Sequence, residues 1–327
     1  MNNKSPNFFQ FSVYSSIVRM LKYRLTMKRS WEDSDGVTDR MLYGLIMMIG
    51  WFVRTISRKK SSALAHALGD FIYRVLKLRR SLVEENLALT FPEKNREEIS
   101  AIALQVYRNQ AENFIEMLRL PMIKTAEDAA RLLDLDARHL LSKTLDQQKG
   151  CVLVSAHFGN WELMALCSGL LMAPFTIVVK ELKNHAIDRK INSWRTMQGN
   201  RIVYDWQALR TGLRTLREGG IVTILGDQSD SGGSFFTEFL GRRTAVFLGP
   251  AFLALKAGVP LFVVMCRSIG NGRYTIDIEE IDMSDLGREK ADAEELARRY
   301  TKVIERFIYQ YPEEWFWLHN RWKRSEP

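Results

Sequence analysis

Cysteine is scarce in this 327-residue chain: Cys151, Cys167 and Cys266 are the only three, each inside an apolar segment and none at metal-ligand spacing. That pattern weighs against disulfides and points to buried free thiols in a reducing compartment. No apolar run has the roughly 20 residues that a helix needs to cross a bilayer. The most apolar stretch, residues 41–53, is thirteen residues long and ends between Arg40 and Arg54. No small-residue cleavage site follows it, so a removed signal peptide is not expected. Paired Cys and His ligands and the aromatic motif of RNA-recognition modules are missing too, so no nucleic-acid partner is expected. A carboxylate metal site would have only Asp227, Asp230 and Glu238 to draw on, too thin a set to expect a metal. Nor does any motif call for a cofactor.

What is present describes a folded protein with a basic bias: 46% hydrophobic and 26% charged residues, with a net charge of +9. The length suits one large domain or one domain with an appendage. The positive excess fits an anionic membrane surface, an acidic protein partner or a phosphorylated substrate. Residues 41–53 are expected to lie in a membrane interface, with Arg54, Arg58, Lys59 and Lys60 at the headgroups. A buried core helix is the alternative. Amphipathic patterns over residues 61–78 and 97–118 predict two further helices. Three parts result: an N-terminal extension of unassigned role (residues 1–40), a helical membrane-associating region (41–120) and an α/β core (121–327).

From Gly150 onward strands and helices alternate. Strands are predicted at residues 150–155, 175–180, 201–204, 221–225, 261–267 and 273–279. Helices are predicted at 161–171, 184–198, 206–217, 247–257 and 293–311. The alternation predicts an α/β fold, a mixed central sheet flanked by helices. In such sheets ligands gather beyond the C-terminal strand ends, where His157, Lys180 and Asp227 all fall.

The stretch Ser155-Ala156-His157-Phe158-Gly159-Asn160-Trp161-Glu162-Leu163 holds the clearest chemistry. His157 and Glu162 are five residues apart, which on a continuous helix would point them about 140° apart. They can cooperate only if the helix starts between them, and Asn160 is a good N-cap for that start. His157 would then act as general base with Glu162 reaching back to orient its ring. Backbone N–H groups near Gly159 and Asn160 are the expected oxyanion donors. The block from Gly226-Asp227-Gln228 through Arg242-Arg243 to Gly249-Pro250 is expected to form a pocket wall able to bind anions.

Several blocks together resemble the late acyltransferases of lipid A biosynthesis, the lauroyl and myristoyl transferases of the lysophospholipid acyltransferase superfamily. They are the HFGNWE stretch, which matches the family's H(x)4(D/E) pattern, Arg195 with Gly199, Asp227-Gln228, Phe239-Leu240-Gly241 before Thr244-Ala245, and Gly249-Pro250-Ala251. Glu85-Asn86-Leu87 with Phe91-Pro92-Glu93 and the tail Trp317-Leu318-His319-Asn320-Arg321-Trp322-Lys323 fit as well. Lys180 departs from the pattern, standing where many relatives carry Arg. The resemblance implies a glycerol-3-phosphate acyltransferase-like fold and a location on the cytoplasmic face of the inner membrane. It also implies acyl transfer from acyl carrier protein to a hydroxyl of a glycolipid acceptor, a lipid A precursor. On that reading His157 and Glu162 are catalytic, while Lys180, Arg195, Asp227 and Arg242 bind substrate. The alternatives are acylation of a lysophospholipid or another glycolipid, and a catalytically silent lipid-binding protein at a membrane surface.

Overall fold

A computed structural model describes residues 36–135, 149–228 and 235–323, together with residues 144, 146 and 147. Residues 1–35 of the N-terminal extension, the segment 229–234 after Gln228, and residues 324–327 lie outside the described residues.

The described residues open with helices α1 (Val37–Thr55), α2 (Arg58–Phe71), α3 (Arg80–Thr90) and α4 (Arg96–Arg119). Helix α4 starts at a capping box, in which the Asn95 side chain takes the Glu98 N–H and the Glu98 side chain takes the Asn95 N–H. Its Ile99, Ala103, Val106, Ile115 and Leu118 are buried at helical spacing, so this longest helix packs into the core. The turn between α1 and α2 is pinned to α4 from below. Arg119 donates to the Val53 and Ile56 carbonyls and to Ser61, and Arg58 pairs with buried Glu116 at 2.5 Å.

A short helix α5 (Ala126–Ala130) leads to strand β1 (Leu133–Asp134), and then comes the alternating run. It comprises β2 (Cys151–Ser155), α6 (Trp161–Leu171), β3 (Phe175–Val179), α7 (His185–Thr196), β4 (Arg201–Tyr204), α8 (Ala208–Arg217) and β5 (Ile221–Leu225). A hairpin of β6 (Phe236–Phe239) and β7 (Arg242–Ala245) stands apart from the main sheet. Helix α9 (Gly249–Ala257), strands β8 (Leu261–Gly270) and β9 (Arg273–Glu280), and helix α10 (Lys290–Gln310) complete the chain.

The strand order is β1-β9-β8-β2-β5-β3-β4. Strands β8, β2, β5, β3 and β4 run parallel, and β9 returns antiparallel to β8. This is a mixed, mostly parallel sheet. Alternate residues of β2 enter opposite cores. Val152 and Val154 face α9 and α10, whereas Cys151 and Leu153 face α4 and α6. Burial of each such aliphatic side chain contributes about 1.5–3 kcal/mol.

Helix α1 divides its apolar residues between two environments. Ile46, Met47, Ile49 and Val53 pack on the core, while Met41, Leu42, Leu45, Met48, Trp51 and Phe52 are exposed. Among the described residues no helix is long and apolar enough to cross a membrane.

Candidate active site

Strands β2 and β5 are in parallel register, with Ser155 opposite Leu225. Two residues beyond each of these stand His157 and Asp227, and the His157 Nδ1 lies 2.8 Å from Asp227 Oδ1. The other carboxylate oxygen of Asp227 accepts the Trp315 indole N–H at 2.8 Å. Asp227 is buried, and burial alone would push its carboxyl up. The His157 imidazole and the Trp315 N–H outweigh that effect and hold it below the ordinary carboxylate range. A carboxylate at Nδ1 fixes the tautomer and leaves Nε2 to take a proton. The His157 side chain keeps 23% of its surface open.

The turn carrying His157 is fixed from several sides. Its carbonyl accepts the Phe316 N–H at 2.9 Å, and Phe158 bridges to Trp315 in antiparallel fashion. Gly159 adopts φ +55°, and a Cβ there would fall 1.8 Å from the Cys266 carbonyl oxygen, so only glycine fits. Asn113 of α4 donates to the Gly159 carbonyl at 2.7 Å. Asn160 then caps α6 by accepting the Leu163 N–H at 3.0 Å, so the helix begins at Trp161, between His157 and Glu162. Trp161 and Phe316 flank the imidazole, with ring centroids 5.2 and 6.3 Å away. The Gln228 amide nitrogen sits 3.3 Å from both ring nitrogens.

Two expectations need correction here. Glu162 is not the group that holds His157. Its carboxylate is gripped by Arg195 of α7, with Nε to Oε2 at 2.9 Å and Nη2 to Oε1 at 2.5 Å. A first-turn residue of α6 is directed along that helix toward α7, whereas Asp227 leaves the neighbouring strand end at the level of His157. The expected oxyanion donors are also committed elsewhere. The Gly159 N–H goes to the Glu314 carbonyl at 3.0 Å, and the Asn160 N–H is directed at the Cys266 sulfur.

The other predicted site residues fall in separate places. Arg195 is tied to Glu162 and to Asn192 Oδ1 at 2.9 Å, so its guanidinium is held inside the protein. Lys180 is exposed, one residue past the end of β3. Arg242, on the β6–β7 hairpin, donates to Asn86 Oδ1 at 3.1 Å and lies over the Trp322 ring. Burial lowers its pKa to about 10, and its local contacts join the hairpin to α3 and the C-terminal tail. The C-terminal tail belongs to the core. Trp315 and Trp317 are fully buried, and Arg321 is buried against Thr244 and Phe239. Sequence reasoning gave no sign that Trp315 reaches Asp227, because the two are 88 residues apart.

Chemically, the site offers an oriented imidazole, a buried carboxylate behind it, and the start of α6 beside it. The Trp161 and Glu162 N–H groups have no acceptor within that helix. Comparison with known proteins identifies the family. A family model described as bacterial lipid A biosynthesis acyltransferase matches residues 34–324. The phosphatidylinositol mannoside acyltransferase of Mycolicibacterium smegmatis is 28% identical over 63% of this chain and 67% of its own length. The lipid A biosynthesis lauroyltransferase of Escherichia coli is 26% identical over 84% of this chain and 88% of its own. The palmitoleoyltransferase of the same organism is 24% identical over 76% and 80%. The chain is therefore an acyltransferase and belongs to the bacterial lipid A biosynthesis acyltransferase family.

Proposed function

We propose that the protein moves a fatty acyl chain from the thioester of acyl carrier protein to a hydroxyl of a lipid A precursor or a closely related glycolipid. The observation that carries this reading is the chain Trp315–Asp227–His157, ending in an accessible imidazole at the C-terminal edge of the sheet. His157 Nε2 takes the proton of the acceptor hydroxyl as its oxygen attacks the thioester carbonyl, forming the new C–O bond. The imidazolium, steadied by Asp227, returns the proton to the sulfur as the C–S bond breaks. General-base assistance of this kind is worth about 10²- to 10⁴-fold. The open N–H groups and the dipole at the start of α6 are the donors for the oxyanion. Glu162 acts through its Arg195 pair, holding α6 and α7 in the arrangement that presents the turn. Lys180, exposed at the end of β3 two strands from β2, meets the acceptor's phosphate or sugar as a point charge.

The exposed apolar face of α1, with exposed Lys59 and Lys60 nearby, supports attachment to the cytoplasmic face of the inner membrane. The test is mass spectrometry of lipids made by the purified protein. It is offered carrier-protein and coenzyme A thioesters, with a tetraacyl lipid A precursor, a mannosylated phosphoinositide and lysophosphatidic acid as acceptors. Acylation of a glycolipid by wild type and not by His157→Ala supports the proposal. Transfer at the wild-type rate by His157→Ala, or acylation of lysophosphatidic acid alone, contradicts it.

A further inference from the structure

Much of the chain's positive charge is spent internally. Arg58 pairs with Glu116, Arg80 with Glu84, Arg108 with Asp70 and Arg299 with Asp285. Helix α8 differs. Arg210, Arg214 and Arg217 stand at i, i+4 and i+7, all exposed, so they form one row on the outer face. Within the described residues none of the three side chains has a hydrogen bond, ion pair or ring contact. The inner face of α8 is firmly seated: a Cβ at Gly212 would stand 3.3 Å from Leu253 of α9, and Leu216 is buried. The row is therefore displayed on a rigid element.

A row of cations is ordinarily just a solvated face. Three observations give this one a direction. Helix α8 follows β4 after a single 3-10 turn (Asp205–Gln207), so its first turn lies at the C-terminal sheet edge that carries His157, and exposed Trp206 and Leu209 mark that end. β4 is three strands from β2 in the sheet, which at about 4.8 Å per strand puts the two some 14 Å apart laterally. Lastly, α8 packs on the core shared with α9 and α10, whereas α1 and its exposed apolar face lie across the sheet with α4 and α6. A planar bilayer touching the α1 face cannot also lie along α8.

We propose that the outer face of α8 is the docking surface for the acidic carrier protein that delivers the acyl thioester. The spacing of the three arginines matches one helical repeat, so carboxylates at the same period on a partner helix can meet them in succession. Trp206 and Leu209 supply an apolar contact at the end from which the acyl arm turns toward His157. This inference rests on the carrier-thioester reading above.

The test uses the full chain carrying Arg210→Glu, Arg214→Glu and Arg217→Glu, and a milder triple Gln variant. Three quantities are compared with wild type: KM for acyl carrier protein, turnover with a small soluble acyl thioester, and equilibrium binding of the carrier protein. The Glu variant is expected to raise the carrier KM and weaken carrier binding about ten-fold or more. The Gln variant should do so by less, and turnover of the small thioester should stay at the wild-type level. Unchanged carrier binding in the Glu variant overturns the proposal. Loss of binding to phosphatidylglycerol vesicles with carrier binding intact also overturns it and assigns the face to lipid. If wild type uses neither donor, the acyl-transfer reading fails separately. Carrier binding still decides the docking surface, and its absence in wild type refutes it.

Discussion

His157 and Asp227 each stand two residues beyond the ends of adjacent parallel strands, and the strand register itself brings Nδ1 and Oδ1 to 2.8 Å. Because the carboxylate approaches from the neighbouring strand, the orientation of the imidazole is built into the sheet.

The proton on His157 is therefore expected at Nδ1, with Nε2 unprotonated in the neutral form. Nitrogen NMR of labelled protein near neutral pH checks this. A mixture of tautomers, or protonation at Nε2, would contradict the hydrogen-bond assignment.

Glu162 and Arg195 form a two-pronged pair whose side chains are only 12% and 20% exposed. Removing either partner leaves a largely buried charge, so Glu162→Ala and Arg195→Ala should each cost about 3 kcal/mol. The double variant should recover part of that loss, and a double-mutant cycle by urea unfolding measures it. Full additivity would mean that the pair does not hold α6 to α7.

At Gly159 both the left-handed φ of +55° and the Cys266 carbonyl oppose a side chain. Gly159→Ala should cost about 3 kcal/mol or more and displace the His157 turn, lowering activity as well. Wild-type stability and activity in this variant would show that the turn has slack.

Glu314 joins the site to pH. Its carbonyl holds the Gly159 N–H, and burial pushes its carboxyl up from 4.5 to about 7. Between those values the folded chain keeps a proton that the unfolded chain has released. Its contribution therefore becomes less favourable as pH rises through that window. Glu314→Gln should remove this slope, an effect on the order of 3 kcal/mol between pH 5 and 8. Equal slopes for variant and wild type in denaturant titrations would refute the raised value.

Much of the sheet was legible because its strands are short apolar runs bounded by turn residues. Residues 201–204 and 221–225 were read with the bounds that β4 and β5 have. The start of α6 was legible too, since Asn160 is a recognisable cap. The partner of His157 was not. Strand β5 sits beside β2 only because the chain first builds β3 and β4 and then returns, and no local pattern encodes that order. Glu162, close in sequence, looked like the orienting group, whereas Asp227 is close in space. The β6–β7 hairpin was missed for a related reason. Its turn places Leu240 at φ +51°, a conformation that local sequence disfavours, where buried Glu305 accepts the Leu240 N–H.

The central claim is that Asp227, and not Glu162, orients the base. Turnover of Asp227→Asn and Glu162→Gln with a carrier-borne acyl donor and a glycolipid acceptor, each variant checked for folding, tests it most directly. The account predicts that Asp227→Asn lowers kcat about 10³-fold or more, while Glu162→Gln lowers it no more than about ten-fold. The reverse order of effects would contradict it.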